Sequence, residues 1–290
     1  MQGQLRAVAL GCVVVGLLAA CGGGDDSGSG SVAASSSSGV ASPADSASLG
    51  TDCFVVPGMG KTATATASVV APVTVNVATV TGLGAQTFEG QSYTALDVRN
   101  RIDQVLNSDQ HHTLYMLPNA PYLPAGAITF PSAGDTGPQQ RYAYTYAAMT
   151  LEQLRSAVVG GKATFSPLVV PTLQPVVPTV ADFKLNTPVT LTMFEKRAGG
   201  TNPMGASFAS NSVKELTLTY AGRESVTVGS ATYGQACRMN VSVRRTTPNF
   251  NVVPFSIENV GKVTLWFAPN VGLVKFSMDG LDTAIVPAAN

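Results

Sequence analysis

From Thr62 onward, side chains of two kinds take turns along the chain. Thr62, Thr64 and Thr66 share one parity and Ala63, Ala65 and Ala67 the other, after which Val73, Val75 and Val77 alternate with Thr74, Asn76 and Ala78. Because successive residues of a strand point to opposite faces, this period of two predicts half-buried β-strands. Gly82-Leu83-Gly84 reads as a turn, and Thr87 to Val98 as a hairpin folded at Glu89-Gly90. Further strands are expected at Thr113 to Leu117, Ala127 to Phe130, Gln140 to Ala147, Pro188 to Glu195, Val213 to Tyr220, Glu224 to Val228, Ala236 to Arg244, Lys262 to Ala268 and Leu273 to Met278. The gaps between them are short, which implies antiparallel connections. Only Thr150 to Val159 has helical spacing, with Leu151, Leu154 and Val158 on one face and Thr150 placed to cap. The expected fold is therefore mostly β: a curved antiparallel sheet or half-barrel with at most one short helix.

Five prolines between Pro167 and Pro188 are too closely spaced for a central strand and predict an extended connector. It separates an N-terminal β region, residues 53–166, from a C-terminal one, residues 189–290, as two domains in tandem or two parts of one sheet. A weak echo, Thr87-Phe88-Glu89-Gly90-Gln91 against Thr232-Tyr233-Gly234-Gln235, hints at related halves.

The first twenty residues follow a different pattern. Arg6 precedes an apolar run from Ala7 to Ala20, too short to span a bilayer of ~30 Å but the right size for a secretory signal peptide. It ends in Leu18-Ala19-Ala20-Cys21, which resembles the bacterial lipobox. That resemblance implies cleavage after Ala20 and acylation of Cys21, with a membrane as partner through the lipid anchor. Gly22 at the next position implies the outer membrane, facing the periplasm. From Gly22 to about Gly50 the chain is Gly, Ser and Ala with few large apolar residues, so residues 21–52 read as a flexible tether. Its ~28 residues would reach about 30 Å.

In the C-terminal half, Gly222-Arg223-Glu224-Ser225-Val226-Thr227-Val228 and Thr264-Leu265-Trp266-Phe267-Ala268-Pro269-Asn270-Val271-Gly272-Leu273-Val274-Lys275 resemble a group of uncharacterised bacterial envelope proteins whose domain closes on T-x-W-Y-A-x-G-V-G-L-V-K. Phe267 and Asn270 depart from that pattern, which has Tyr and Gly there. The resemblance implies a curved antiparallel sheet, such as the half-barrel of the lipoprotein-localisation carriers. Read by itself, the segment is a turn at Pro269 to Gly272 that buries Trp266 beside Val274 or Phe276.

Composition narrows the function. The chain is 45% hydrophobic and only 12% charged, and without Arg6 it holds 16 basic against 17 acidic residues. Such a balance argues against a nucleic-acid partner. Of four cysteines, Cys12 leaves with the leader and Cys21 takes lipid, so Cys53 and Cys237 remain. In an oxidising envelope they are a candidate disulfide; otherwise Cys237 is a buried free thiol and Cys53 an exposed one.

Catalytic and metal chemistry finds few parts. His111 and His112 are adjacent, so on a strand they face opposite ways and chelate poorly, and a loop or edge position is expected for them. Neither Gly-x-Ser-x-Gly nor Ser-x-x-Lys occurs, and Gly58-Met59-Gly60-Lys61-Thr62 imitates a phosphate loop whose first glycine would have to be Val55. Asp97, Arg99, Arg101 and Asp103 read as a salt-bridged exposed stretch, Arg244-Arg245 and Lys196-Arg197 as solvated strand ends, and Glu224 as a cross-strand partner for Arg238. No catalytic, cofactor or metal site is assigned. The sequence points to a lipid-anchored, non-enzymatic envelope protein that binds an apolar ligand or an envelope protein. A structural component of the envelope without a small ligand, and an envelope hydrolase, are the alternatives.

Overall fold

The computed structural model describes residues 49–70, 73–100, 111–130, 139–160, 164–165, 168–169, 177–198, 213–246, 256–278 and 281–286. The leader, Cys21, the tether up to residue 48, Arg101, Asp103 and much of the proline-rich connector lie outside them.

The alternating segments form one antiparallel sheet. In chain order its strands are β1 (Thr62–Val70), β2 (Val73–Phe88), β3 (Gln91–Asn100), β4 (His111–Leu117), β5 (Ala120–Thr129), β6 (Gln140–Ala147), β9 (Pro188–Ala198), β10 (Val213–Val228), β11 (Ala231–Thr246), β12 (Ile257–Ala268), β13 (Gly272–Met278) and β14 (Leu281–Val286). A two-residue pair, β7 (Thr164–Phe165) and β8 (Leu168–Val169), stands apart. The large sheet curls until β14 pairs with β1, closing a barrel of twelve strands. Closure removes free edges, and the inward side chains must then fill the interior. They do so with Leu96, Val98, Leu114, Met116, Leu216, Leu218, Met239, Val241, Val263 and Leu265, all buried.

The ring has an internal twofold pattern. β1 to β6 and β9 to β14 are two runs of six strands, joined where β6 pairs with β9 and where β14 pairs with β1. The connector therefore divides the chain without dividing the sheet. The entrances to the two runs match in detail. Gly60 N donates to Gly82 O at 2.9 Å and Asn186 N to Tyr220 O at 2.7 Å, while Lys61 N donates to Gly58 O and Thr187 N to Lys184 O. Gly60 and Asn186 both have positive φ. The turn between β4 and β5 carries Pro118-Asn119, and that between β12 and β13 carries Pro269-Asn270. This Pro-Asn repeat is the sequence signal of the two halves. The echo read from Thr87 and Thr232 does not align them, because Glu89-Gly90 is a hairpin turn whereas Gly234-Gln235 lies inside β11.

Three local expectations are corrected. Gly82-Leu83-Gly84 is a bulge inside β2, with Gly84 at φ +70°, so the strand bends where a turn was expected. Val213 to Tyr220 and Glu224 to Val228 are one strand, β10, bent at Gly222 with φ +103°. These two left-handed glycines occupy matching places and bend their hairpins outward. As a result Phe88 lies over Gly126 on the outer wall and stacks on Tyr115 at 4.5 Å. The third correction concerns the tether, since Leu49 is buried and its N–H donates to Phe183 O. The folded part starts no later than Leu49.

The helix α1 (Leu151–Val159) forms where the spacing placed it, opened by a capping box between Thr150 and Gln153. Leu151, Leu154 and Val158 pack on Ala147, Phe194 and Val213, outward residues of β6, β9 and β10. Beneath its first turn Glu215, 3% exposed, accepts from Leu151 N at 2.8 Å. Arg244 joins this carboxylate to Glu152 with two charge-assisted bonds to each. Arg244 is thus a staple between wall and helix, and Arg245 pairs with Glu258, so neither is a solvated strand end.

Candidate functional site: a barrel plugged at one end

The barrel has two unlike ends. The short turns after β2, β4, β10 and β12 and the entry of the N-terminal segment share one end, and the opposite end collects the starts of β2, β4, β6, β10 and β12.

At the first end, residues 49–54 run into the barrel and plug it. Cys53 bonds to Cys237 on β11, both fully buried. Asp52 takes a bidentate pair from Arg223, with Nη2 to Oδ1 at 2.8 Å and Nη1 to Oδ2 at 3.0 Å, and its carbonyl accepts from Asn270 N at 2.8 Å. Phe54 then meets Tyr122 and Phe267, each with ring centroids 5.0 Å apart, and Tyr122 meets Phe183 edge-on at 5.4 Å. Aromatic pairs at these separations add to the energy of burial. Two phenols are satisfied within the plug: Tyr122 donates to Pro178 O, and Tyr146 to Pro124 O at 2.7 Å. Burial raises both phenols well above the usual tyrosine range. A groove of about 220 Å³ lies beside this end, lined by Ala148, Pro178, Asp182, Val189, Thr190 and Leu191.

The other end, the mouth, is polar. By strand parity Lys214 shares the inner face with Leu216 and Leu218, Glu195 with Leu191 and Met193, His112 with Leu114 and Met116, and Arg245 with Val241 and Val243. Lys214 Nζ lies 3.7 Å from Glu195, and His112 Nδ1 lies 2.8 Å from the Thr129 hydroxyl. Burial, then repulsion by His111, lowers the His112 pKa against an opposing pull from Asp97. The imidazole thus takes up its proton at lower pH when folded than when unfolded. Between those two values the unfolded chain holds more protons, so stability falls as pH drops through the ordinary histidine range. In urea titrations His112→Gln is expected to flatten this mildly acid slope; an unchanged slope would place its origin elsewhere.

The remaining sequence candidates fall as follows. His111 and His112 sit at the start of β4, between two strands, with neither a loop nor an edge position, and His111 stacks outward on Phe130. Asp97 pairs with Arg99 at 3.0 Å. Gly58 to Lys61 bridges backbone to β2 and opens a strand, without the helix a phosphate loop needs. Glu224 does face Arg238, at 3.5 Å. Trp266 is on the outer wall, not buried: it packs beside Val274 as expected, but its ring lies between Arg238 and Lys275 and its N–H donates to Glu224. Arg238 and Lys275 lie 5.9 and 5.0 Å from its ring centroid, which makes it a hub of charged contacts on the wall. Among the described residues no group of three or more His, Cys, Asp and Glu side chains gathers as a metal site.

The plug itself was only half readable. Cys53 and Cys237 stood out by elimination, whereas Asp52, Tyr122 and Phe183 carry no local motif and the motif holding Arg223 does not name its partner, since their meeting depends on closure of the ring.

No protein-family model matches the chain, and no curated protein matches it in sequence. Two solved structures are similar. An inferred exported protein with a YmcC-like fold from Bacteroides fragilis NCTC 9343 is 9% identical over 83% of this chain and 97% of its own, with a TM-score of 0.29. An inferred lipoprotein from Parabacteroides distasonis ATCC 8503 is 12% identical over 79% of this chain and 94% of its own, with a TM-score of 0.30. Superpositions this loose decide nothing about the role of this chain.

Proposed function

We propose that this protein is a lipid-anchored component of the bacterial cell envelope, non-enzymatic, that acts by holding a partner protein at its barrel. The observation that carries the reading is the plug. The segment entering from the lipobox and tether is fastened to the wall by a disulfide, a bidentate ion pair and two backbone hydrogen bonds. A disulfide suits an oxidising compartment such as the periplasm, and a strong fastening at that point suits a chain held by its N-terminus. The outer membrane, facing the periplasm, is the proposed address.

Between a protein partner and an apolar small ligand, the interior favours the former. Tyr122, Tyr146, Tyr220, Phe183 and Phe267 fill the plugged half and are each at most 1% exposed. A carrier of acyl chains would keep such space open. Crosslinking in intact cells should trap one discrete protein on the barrel, and organic extraction of the purified protein should release no acyl ligand in stoichiometric amount beyond its anchor. A bound lipid recovered at one per chain, with no crosslinked protein, would overturn the reading in favour of carriage.

A further inference from the structure

The plugged end carries an unusual pair of side chains. Among the described residues the exposed large hydrophobics are Met59 at 81%, Val159 at 62% and Leu185 at 37%, and two of the three belong to this rim. Met59 precedes β1 and Leu185 precedes β9, in the matching entrances that bridge to Gly82 and Tyr220. In a ring of twelve strands β1 and β9 are six places apart whichever way the ring is followed, so the two apolar tips stand on opposite sides of one opening.

Four further observations bear on what meets them. Each tip has a lysine beside it, Lys61 two residues after Met59 and Lys184 just before Leu185, both exposed. Of the carboxylates at this end, Asp52 is engaged with Arg223 and Asp182 with Thr179, and exposed Glu89 lies at the tip of the hairpin between β2 and β3. The long hairpins that would otherwise project past the rim bend outward at Gly84 and Gly222 and pack on the outer wall, around Phe88 on one side and Val226 on the other. And the described chain begins at this end, where Leu49 N donates to Phe183 O inside the plug.

We propose that the plugged rim rests on the bilayer, with Met59 and Leu185 seated among the lipid headgroups and Lys61 and Lys184 toward lipid phosphates, so that the polar mouth faces away from the membrane. This deepens the anchored reading above and rests on it. Two apolar tips and two lysines form a weak contact, below what would recruit a free protein. If the ~28 Gly/Ser-rich residues before Leu49 reach the roughly 30 Å their composition implies, lipid on Cys21 holds the rim at high local concentration over the surface, and a weak contact then suffices to set orientation.

The test couples the chain starting at Cys21 through that thiol to a maleimide lipid in vesicles of phosphatidylethanolamine and phosphatidylglycerol. It therefore reads the rim whether or not cells acylate Cys21. Hydroxyl-radical footprinting followed by mass spectrometry should show Met59 and Leu185 labelled several-fold more slowly on vesicles than in the uncoupled chain, and Val159 on α1 labelled equally in both. Leu185→Asp should restore labelling of Met59 in the coupled chain, with an unchanged far-UV circular dichroism spectrum showing that the variant is folded. Unchanged labelling of Met59 and Leu185 on coupling would overturn the docking, and equal slowing at Val159 would overturn the orientation. Failure of Cys21 to take up lipid in cells would sink the anchored reading by a separate measurement.

Discussion

Replacing Cys53 by serine is expected to lower the unfolding free energy by about 2–5 kcal/mol, the range for loss of a native disulfide closing a long loop. The crosslink spans 184 residues, from before β1 into β11, so its removal frees the unfolded chain over that length. For a domain of this size the loss corresponds to a fall in Tm of roughly 4–20 °C. Thermal unfolding under non-reducing conditions is the check. Because both cysteines are fully buried, mild reductant applied to the folded wild type should leave its Tm unchanged, whereas reduction after unfolding should bring it down to the level of the variant. A Cys53→Ser protein that melts with the wild type would mean that the plug is held without the bond.

Phe267→Ala should cost about 3–5 kcal/mol, the range for truncating a buried Phe. Phe267 is fully buried and meets the Phe54 ring that the N-terminal segment inserts, so the cavity would open next to the disulfide. Its cost and that of Cys53→Ser should therefore not add. With the bond absent, Phe54 is already less firmly seated and part of the Phe267 contact is already lost. The double variant is expected to be more stable than the sum of the single losses predicts, by about 0.5–3 kcal/mol, the range for directly coupled sites. Strict additivity would show that disulfide and aromatic cluster act independently.

Local features of this fold were legible because they rest on local physics. Alternation placed most of the strands, Gln140 to Ala147 with the same ends, and helical spacing with Thr150 placed α1. Glycine was harder to read. Gly84 and Gly222 are needed at positive φ, but that conformation serves a bulge inside a strand as well as a turn between two, and composition does not separate the cases. Trp266 shows a second limit. Parity says which residues share a face but leaves open which face turns inward, and the aromatic of the closing motif took the outer one. Closure was hidden for a third reason: β1 and β14 meet from opposite ends of the folded part, and nothing in Thr64 to Ala67 marks Thr283 to Val286 as partners.

The candidate site divides in the same way. Cysteine counting led to Cys53 and Cys237, since few other destinations were open to them in an oxidising compartment. Leu49 and Asp52 were assigned to the tether because the Gly/Ser-rich run on their N-terminal side dominates composition, although one side chain is enough to anchor a segment when a pocket awaits it. Arg223 belonged to a recognised motif, but its role became visible only with Asp52 beside it.

The account turns on an N-terminus held in a bilayer and locked into the barrel it carries. Metabolic labelling of cells with palmitate tests this most directly, using the wild-type chain and Cys21→Ala side by side. Label on the wild type, none on the variant, and release of the variant from the membrane fraction is the predicted result. An unlabelled wild type, or a Cys21→Ala protein that stays with the membranes, would contradict it.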